Sequence, residues 1–456
     1  MLEKIFRLSE RTTSVKTEMI AGITTFMTMA YILFLNPNIL AATGMDKNAS
    51  FFATAVASGL ITIAMGLIAN IPVALAPGMG LNALFATVAA AGTGMPWQAA
   101  LGAVFISGLI FIVLTVTNVR QLLVKAVPGC IKSGITVGIG LFIATIGIKL
   151  SGIMVVAAHP LPSTVTDLTT NHSAVFQFFE WDILMGSFTN KSMLLCIIGV
   201  AISAALMANK VKGALLIGII ITTLIGIPMG VTLVPEHFTA FKMPSFKNLN
   251  VGALDIKAAF GMGIWTVVFT FTFIELFDTF GTLVGTIKKT GLADKEGSSK
   301  LFGKAMLVDA VGVSFGAILG TSTVTSYVES AAGISEGGRT GLTSITTGIL
   351  FLLALFIAPL TQIIPDSATA PALIIVGVLM VSSVAEINFN DFTEAFPAFI
   401  TFILMPLTYG IANGISGGIV LYTLLKLLTG KAKQVHWLMY LLTVLVIARY
   451  LFISKA

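Results

Sequence analysis

Three carboxylates lie inside stretches of the chain that are otherwise apolar or free of charge. Glu275 and Asp278 are three residues apart in the Phe-rich run 269–281, and Glu329 lies in the Gly-flanked run 320–333, which is rich in Ser and Thr. A carboxylate at membrane depth costs at least about 2.5 kcal/mol on insertion scales. A chain that carries several such groups is expected to use them for a substrate, an ion or a proton.

The composition predicts that these carboxylates lie in a bilayer. Hydrophobic residues make up 56% of the 456 residues and charged residues 10%, whereas about 25% charged residues is typical of soluble domains. We therefore expect a polytopic membrane protein whose first apolar run, after the polar residues 1–17, is retained as a span. The formal net charge of +6 comes mostly from connections between spans, which indicates lipid headgroups as partners and no nucleic acid.

Apolar runs predict an all-α protein with about fourteen transmembrane segments. Lys and Arg cluster in alternate connections, which predicts a cytoplasmic N-terminus and a multi-pass protein of the cell membrane. The long connections 149–191 and 233–257 then face outward as loops. One further apolar run exceeds the count of fourteen. The runs fall at 18–36, 51–70, 74–90, 98–118, 133–148, 192–208, 213–232, 262–286, 303–319, 321–335, 340–358, 370–385, 395–412, 415–429 and 435–453.

Two of these segments are too interrupted to be ordinary spans. Residues 74–85 contain one Pro and two Gly, and residues 320–341 contain five Gly and a cluster of Ser and Thr. A matched pair of broken helices points to the binding site of an inverted-repeat transporter. Residues 207–217 resemble residues 411–421, which predicts two repeats of seven spans. Because seven is odd, the second repeat must be inverted.

The polar side chains of the broken spans predict a site for a planar heterocycle that carries both N–H donors and acceptors. Asn82 offers a donor and an acceptor, whereas Glu275 and Glu329 offer ionised acceptors. Asp278 and Asp309 are read either as fixed structural acceptors or as groups that take part in proton coupling. Four aromatic side chains could stack on a ligand, although Phe is commonly core or lipid-facing: Phe26, Phe85, Phe273 and Phe277.

Other classes of site have little support in the sequence. Cys130 and Cys196 lack CxxC spacing and are interpreted as packing residues. Neither a metal site nor a cofactor is therefore indicated. The proton is the expected coupling ion, driven by its gradient. A site for a multivalent anion is disfavoured because Lys and Arg avoid the middle of long spans. An intramembrane enzyme is disfavoured because the spans offer neither a nucleophile with a partner base nor a set of metal ligands.

Four motifs resemble the azaguanine-type purine permeases, a branch of the nucleobase–ascorbate transporter superfamily. They are TEMIAGITTFMTMAYIL at 17–33, APGMGLNALF at 76–85, ELFDTFGTL at 275–283 and TSYVESAAG at 325–333. The resemblance implies two inverted seven-span repeats with short antiparallel strands in spans 3 and 10. It also implies a core domain (1–118, spans 1–4, and 259–360, spans 8–11). A gate domain would comprise 119–258 (spans 5–7) and 361–456 (spans 12–14 plus the last apolar run).

The resemblance also implies a function and its residues. The family's substrate contacts fall on Glu275, Asp278, Glu329, Gly80 and Asn82, although members often carry Asp at the position of Glu275. The expected activity is proton-coupled import of purine nucleobases by alternating access, with hypoxanthine and guanine first and adenine close behind. Uracil, xanthine or an anion such as sulfate on the same fold, or a passive channel, are the alternatives. A homodimer through the gate domain is expected by analogy.

Overall fold

The computed structural model describes residues 2–89, 95–117, 126–166, 173–235, 238–244, 249–261, 264–291, 298–408 and 410–452. Within these ranges, nine helices are long and apolar enough to cross a membrane, and shorter apolar helices accompany them. The chain is therefore a multi-pass membrane protein, and the predicted helical class is confirmed.

The first half begins with a short helix and continues as long helices, which are interrupted by one short strand and, later in the chain, by two longer strands. Its elements are α1 (Leu2–Phe6), α2 (Val15–Met29), α3 (Ile32–Ala41), α4 (Lys47–Ala64, extended by a π-helical turn, Met65–Ala69), β1 (Leu75–Pro77), α5 (Met79–Val88), α6 (Trp97–Val116), α7 (Gly129–Leu150), β2 (Met154–Thr166), β3 (Ser173–Met185), α8 (Lys191–Ala208) and α9 (Ala214–Gly226).

The second half repeats this order of helices around one central strand. Its elements are α10 (Ile256–Gly261), α11 (Ile264–Lys289), α12 (Ser298–Leu319), β4 (Val324–Ser326), α13 (Ser330–Ser335), α14 (Gly341–Leu353, followed by a 3-10 helix, Ala354–Gln362), α15 (Asp366–Val381, followed by a 3-10 helix, Ser382–Glu386), α16 (Phe392–Leu407), α17 (Ile411–Leu428), a 3-10 turn (Ala432–Gln434) and α18 (Trp437–Phe452).

One group of helices packs around the two short strands. Helix α14 lies against α2 and α4, and α12 lies against α6 and α4. Glycines set these close approaches: a Cβ on Gly22 would lie 2.5 Å from Thr346, and one on Gly66 would lie 2.4 Å from the Gly341 carbonyl. Small residues serve this role in membranes because helix association there depends on close backbone packing.

A second group of helices packs around α7. Helix α7 lies against α15 and α16, α16 lies against α17, and α8 lies against α9 and α15. Here too glycines meet backbone: a Cβ on Gly140 would lie 2.8 Å from the Gly377 carbonyl, and one on Gly147 would lie 3.0 Å from the Ala370 carbonyl. The two groups meet where α5 reaches α7, where α2 reaches α9 and where α3 reaches α15.

The connection at 149–191 differs from the loop that the sequence predicts. Strands β2 and β3 form an antiparallel hairpin in which Met154 pairs with Met185 and Thr166 with Ser173. The stretch 173–185 is rich in aromatic residues and contains Val and Ile, which favour strands. The prediction of a loop was wrong because the absence of an apolar span does not exclude strands, and the strand-favouring residues here form a hairpin.

The last apolar run forms helix α18, which packs on α17. Thr443 donates to Thr423 at 2.9 Å, and the Tyr450 hydroxyl donates to the side-chain oxygen of Asn413 at 2.7 Å. The residue numbers rise along one helix as they fall along the other, so the two helices run antiparallel. Sixteen residues make a helix of about 24 Å.

Candidate functional site

The two broken spans meet as a short strand pair, which we call the strand crossing (β1 with β4). The strands are antiparallel and pair Leu75 with Ser326 and Pro77 with Val324. Two backbone bonds extend the crossing, from Gly78 N to the Thr323 carbonyl and from Tyr327 N to the Ala74 carbonyl, both at 3.0 Å. The strands predicted in spans 3 and 10 are therefore confirmed.

Hydroxyl groups complete the hydrogen bonds of the crossing, which a strand of three residues cannot supply alone. The Thr62 hydroxyl donates to the Leu75 carbonyl at 3.0 Å, and Leu75 N donates to the same hydroxyl at 2.9 Å. Ala74 N donates to the Ser330 hydroxyl at 3.0 Å. Irregular backbone at membrane depth is tolerated only where it is satisfied in this way or lines a cavity.

Asp309 braces strand β4 from helix α12. Its Oδ1 accepts from Ser326 N at 2.8 Å, from the Ser326 hydroxyl at 2.8 Å and from the Thr325 hydroxyl at 3.3 Å. Gly312 and Gly316 follow on the same helix face, and a Cβ on either would lie within 2.7 Å of a carbonyl of the 322–324 segment. The glycine face thus lets α12 approach closely enough for the carboxylate to reach the strand.

Glu275 faces the same region from helix α11. It is fully buried, and its Oε1 accepts from the Thr279 hydroxyl one turn later at 3.3 Å. The Thr279 hydroxyl lies 2.8 Å from the hydroxyl of Thr325 on β4. Two carboxylates predicted as candidates, Glu275 and Asp309, are therefore joined through two threonine hydroxyls.

Glu329 lies at the start of the short helix α13, where its Oε1 accepts from the Tyr31 hydroxyl of span 1 at 2.8 Å. It is half-buried, whereas Glu275 and Asn82 are fully buried. Helix α13 is only six residues long, so its dipole adds little to the charge environment. In this conformation Glu329 is the most accessible of the three predicted binding side chains.

Asn82 and Gly80 lie in the first turn of α5. Asn82 contacts the segment that leads into β4, and Gly80 contacts helix α7. The side-chain oxygen of Asn82 accepts a short hydrogen bond from the Ser322 hydroxyl, and its amide nitrogen lies 3.5 Å from the Pro77 carbonyl. Asn82 thus ties span 3 to span 10. A Cβ on Gly80 would lie 2.5 Å from Ile139 of α7, so this glycine permits contact between the two helix groups.

The predicted stacking residues are dispersed. Phe85 is fully buried, and Phe26 packs edge-on against Phe351 with ring centroids 5.2 Å apart. Phe273 stacks on Phe269 at 5.4 Å. The side chains of Phe277 and Asp278 lie outside the described residues.

Phe269 and Phe273 line a mostly apolar cavity of about 350 Å³ between α6, α11 and α18. Glu275 is absent from the residues that line it. This cavity is therefore distinct from the strand crossing.

Several polar side chains near the crossing escaped the sequence analysis. Asn36 donates to Thr54 at 2.7 Å and to Thr321 at 2.9 Å, which fastens span 1 to span 2 and to the start of β4. Tyr31 holds Glu329, as described above. Both lie in an apolar run, and a buried polar group in such a run is the signal that could have identified them.

Glu18 is a further buried carboxylate that the sequence analysis missed. Its side chain accepts from the backbone N–H groups of Arg339 at 2.8 Å and Thr340 at 3.2 Å, and from the Thr343 hydroxyl at 2.6 Å. These donors belong to the N-terminal end of α14. A carboxylate in this position is stabilised by otherwise unpaired N–H groups and by the helix dipole, so Glu18 is a structural cap.

The second helix group contains a different arrangement of charge, the α16–α17 ion cluster (Asp391, Glu394, Lys426 and Lys431). Lys426 is 1% exposed, and its Nζ lies 3.8 Å from a carboxylate oxygen of both Asp391 and Glu394. Lys431 approaches Asp391 at 3.2 Å. This cluster lies where α16 begins and α17 ends.

Paired broken spans, buried intramembrane carboxylates and inverted repeats define a membrane transporter. The profile described as "Permease family" matches residues 16–416, and the chain belongs to that family. This confirms the predicted nucleobase–ascorbate transporter relationship and excludes the enzyme alternative.

Two curated relatives match over nearly their whole length. The adenine permease AdeP of Escherichia coli K12 is 41% identical over 455 residues, which cover 100% of this chain and 97% of the relative. The guanine/hypoxanthine permease PbuG of Bacillus subtilis 168 is 41% identical over 462 residues, with 99% and 100% covered.

The fold also matches solved structures. The transmembrane domain of the cyanobacterial bicarbonate transporter BicA has a TM-score of 0.61 at 16% identity, and the match covers 87% of this chain and 97% of that domain. This likeness concerns the fold alone. It supports the predicted inverted-repeat architecture.

Proposed function

We propose that the chain imports purine nucleobases across the cell membrane by proton symport, with hypoxanthine and guanine preferred and adenine next. The observation that carries the proposal is the strand crossing with Glu275, Glu329 and Asn82 around it. Its occurrence in a chain 41% identical to curated adenine and guanine/hypoxanthine permeases supports a purine as the ligand.

Glu329 is proposed as the first contact of the base. A ring N–H of hypoxanthine or guanine would donate to this carboxylate, and a charge-assisted bond of that kind is about twice as strong as a neutral one. The Tyr31 hydroxyl already holds one carboxylate oxygen, which fixes the side chain without adding positive charge. Glu275 and Asn82, together with the backbone beside Gly80, would complete the site once the base has entered.

Alternating access is proposed to move the first helix group, as a core, against the second group, as a gate, with boundaries near residues 118, 258 and 360. The close contact at Gly80 and Ile139 is a place where these groups would slide. The N-terminus is proposed to face the cytoplasm because the N-terminal segment and alternate connections are rich in Lys and Arg, and basic connections are usually cytoplasmic. Homodimer formation through the gate group is part of the same proposal.

Uptake of labelled hypoxanthine tests the proposal directly. Purine-transport-deficient cells that express the chain should accumulate the label, an uncoupler should abolish the accumulation, and unlabelled guanine and adenine should compete. Uptake that equilibrates without accumulating and ignores the uncoupler would identify a passive channel. Competition by uracil, xanthine or sulfate in place of purines would reject the substrate assignment.

A further inference from the structure

Four oxygen atoms form a line that crosses three elements of the strand crossing. Glu275 Oε1 lies 3.3 Å from the Thr279 hydroxyl, which lies 2.8 Å from the Thr325 hydroxyl, which lies 3.3 Å from Asp309 Oδ1. The first two residues belong to α11, Thr325 to β4 and Asp309 to α12. All four residues are at most 1% exposed, so hydrogens must come from the protein side chains.

The number of hydrogens in this line determines its protonation. Three contacts require three hydrogens, and the hydroxyls of Thr279 and Thr325 supply one each. If both carboxyls were ionised, two hydrogens would serve three contacts. One contact would then lack a hydrogen, either the 2.8 Å contact between the threonine oxygens or one of the 3.3 Å contacts at the ends of the line. One proton on either Glu275 or Asp309 fills the third contact.

We propose that Glu275 and Asp309 share one proton through the hydroxyls of Thr279 and Thr325. Glu275 gives its proton to the Thr279 oxygen, Thr279 passes its own hydrogen to Thr325, and Thr325 passes its own to Asp309. Both hydroxyls end reversed and chemically unchanged, and one proton has moved between the carboxyls. This inference rests on the proposed proton symport and names the groups that would carry it.

The neighbouring hydrogen-bond donors decide which carboxyl of the line holds the proton before a base binds. Ser326 donates to Asp309 through both its N–H and its hydroxyl, and two such donors stabilise negative charge on that carboxyl. The proton therefore rests on Glu275, beside the proposed base site. Arrival of a base that needs an ionised acceptor at Glu275 would drive the proton toward Asp309.

Two tyrosine hydroxyls near the strand crossing donate to other acceptors. The Tyr327 hydroxyl donates to the Pro77 carbonyl, and the Tyr31 hydroxyl donates to Glu329. The Asp278 side chain lies outside the described residues. The two threonines are thus positioning residues between the carboxyls and need not touch the base.

Two pairs of variants isolate the hydroxyls from the shape of the side chains. Thr279→Val and Thr325→Val remove the hydroxyl and keep the branched shape, whereas Thr279→Ser and Thr325→Ser keep the hydroxyl. In proteoliposomes with an imposed proton gradient, the valine variants should accumulate hypoxanthine about tenfold less, or roughly 1.4 kcal/mol. Their counterflow exchange should stay within about threefold of wild type, and the serine variants should accumulate normally.

Accumulation by the valine variants within about twofold of wild type would overturn the relay. Failure of wild type to accumulate any purine would instead reject the proposed symport. Infrared spectroscopy of the purified protein then decides the relay independently. A protonated-carboxyl band should be present at neutral pH, vanish in Glu275→Gln and shift in Thr279→Val. Absence of a band that depends on Glu275 or Asp309 would reject the shared proton.

Discussion

Carboxylates are held differently in the two helix groups. In the α16–α17 ion cluster, Lys426 supplies a cation to Asp391 and Glu394. At the strand crossing, Asp309 and Glu329 are held by hydroxyls and a backbone N–H. A cation fixes the charge of its partners, whereas a hydroxyl can turn from donor to acceptor when a proton moves. The difference separates a structural ion cluster from carboxyls that are suited to gain and lose protons.

Glu18 sharpens this distinction inside the first helix group. It is as buried as Glu275, but most of its donors are backbone N–H groups at the start of α14, and these cannot reverse. Burial alone therefore does not identify a functional carboxylate. The kind of hydrogen-bond donor distinguishes a functional carboxylate from a structural one.

The largest expected effect is that of Glu329→Gln. The amide keeps the shape of the side chain and loses the ionised acceptor, so hypoxanthine uptake should fall about 100-fold or more, which corresponds to roughly 3 kcal/mol. Initial uptake rates, normalised to the amount of protein in the membrane, measure the change. Glu10→Gln, at an exposed carboxylate in the N-terminal segment, should leave uptake intact. Normal uptake by Glu329→Gln would remove this residue from the site.

Asp309→Asn should have a smaller effect. The amide oxygen can still accept from Ser326, so the strand crossing stays braced, but the side chain can no longer take a proton. Proton-driven uptake should fall about tenfold and remain measurable, while counterflow exchange is largely kept. A well-expressed variant without any exchange would show that the charge of Asp309 is required for the fold of the crossing or for the base itself.

The strand crossing was easier to predict from the sequence than the side chains that support it. Gly and Pro interrupt an apolar pattern visibly, so broken spans could be predicted at 74–85 and 320–341. The strands in these spans were predicted from the family resemblance. The partners of Glu329 and Asp309 could not be predicted in the same way. Tyr31 lies 298 residues before Glu329, and such pairing depends on how the two repeats interlock. Glu18 was overlooked because it adjoins the polar N-terminal segment and resembles an ordinary helix-end charge.

Lys426→Met should affect stability and spare transport. Glu394 would lose its cation and Asp391 would keep only Lys431. Both carboxylates are about one-third exposed, so solvent screens much of the change. We expect the melting temperature to fall by about 2 °C and uptake per folded molecule to stay within about twofold. Lys431→Met, at a more exposed lysine of the same cluster, should shift the melting temperature less. A tenfold loss of uptake in Lys426→Met would show that the α16–α17 ion cluster serves transport.

The smallest expected effect concerns the pH dependence of Asp391. The hydroxyl and backbone N–H of Thr393 donate to this carboxylate at 2.7 and 2.9 Å and lower its pKa to about 2, against about 3.9 in an unfolded chain. Because the pKa is lower in the folded state, the stabilisation is complete above about pH 4 and is lost as the pH falls toward 2.

The variant Asp391→Asn keeps an acceptor for Thr393 and removes the titration. Melting temperatures of both proteins, measured in one detergent between pH 6 and pH 3, should therefore differ most at pH 6. The advantage of wild type should shrink steadily below about pH 4. A difference that stays constant across this range would mean that the negative charge of Asp391 is equally stabilised in the unfolded chain. The α16–α17 ion cluster would then not be a fixed-charge counterpart to the carboxyls that are proposed to exchange a proton at the strand crossing.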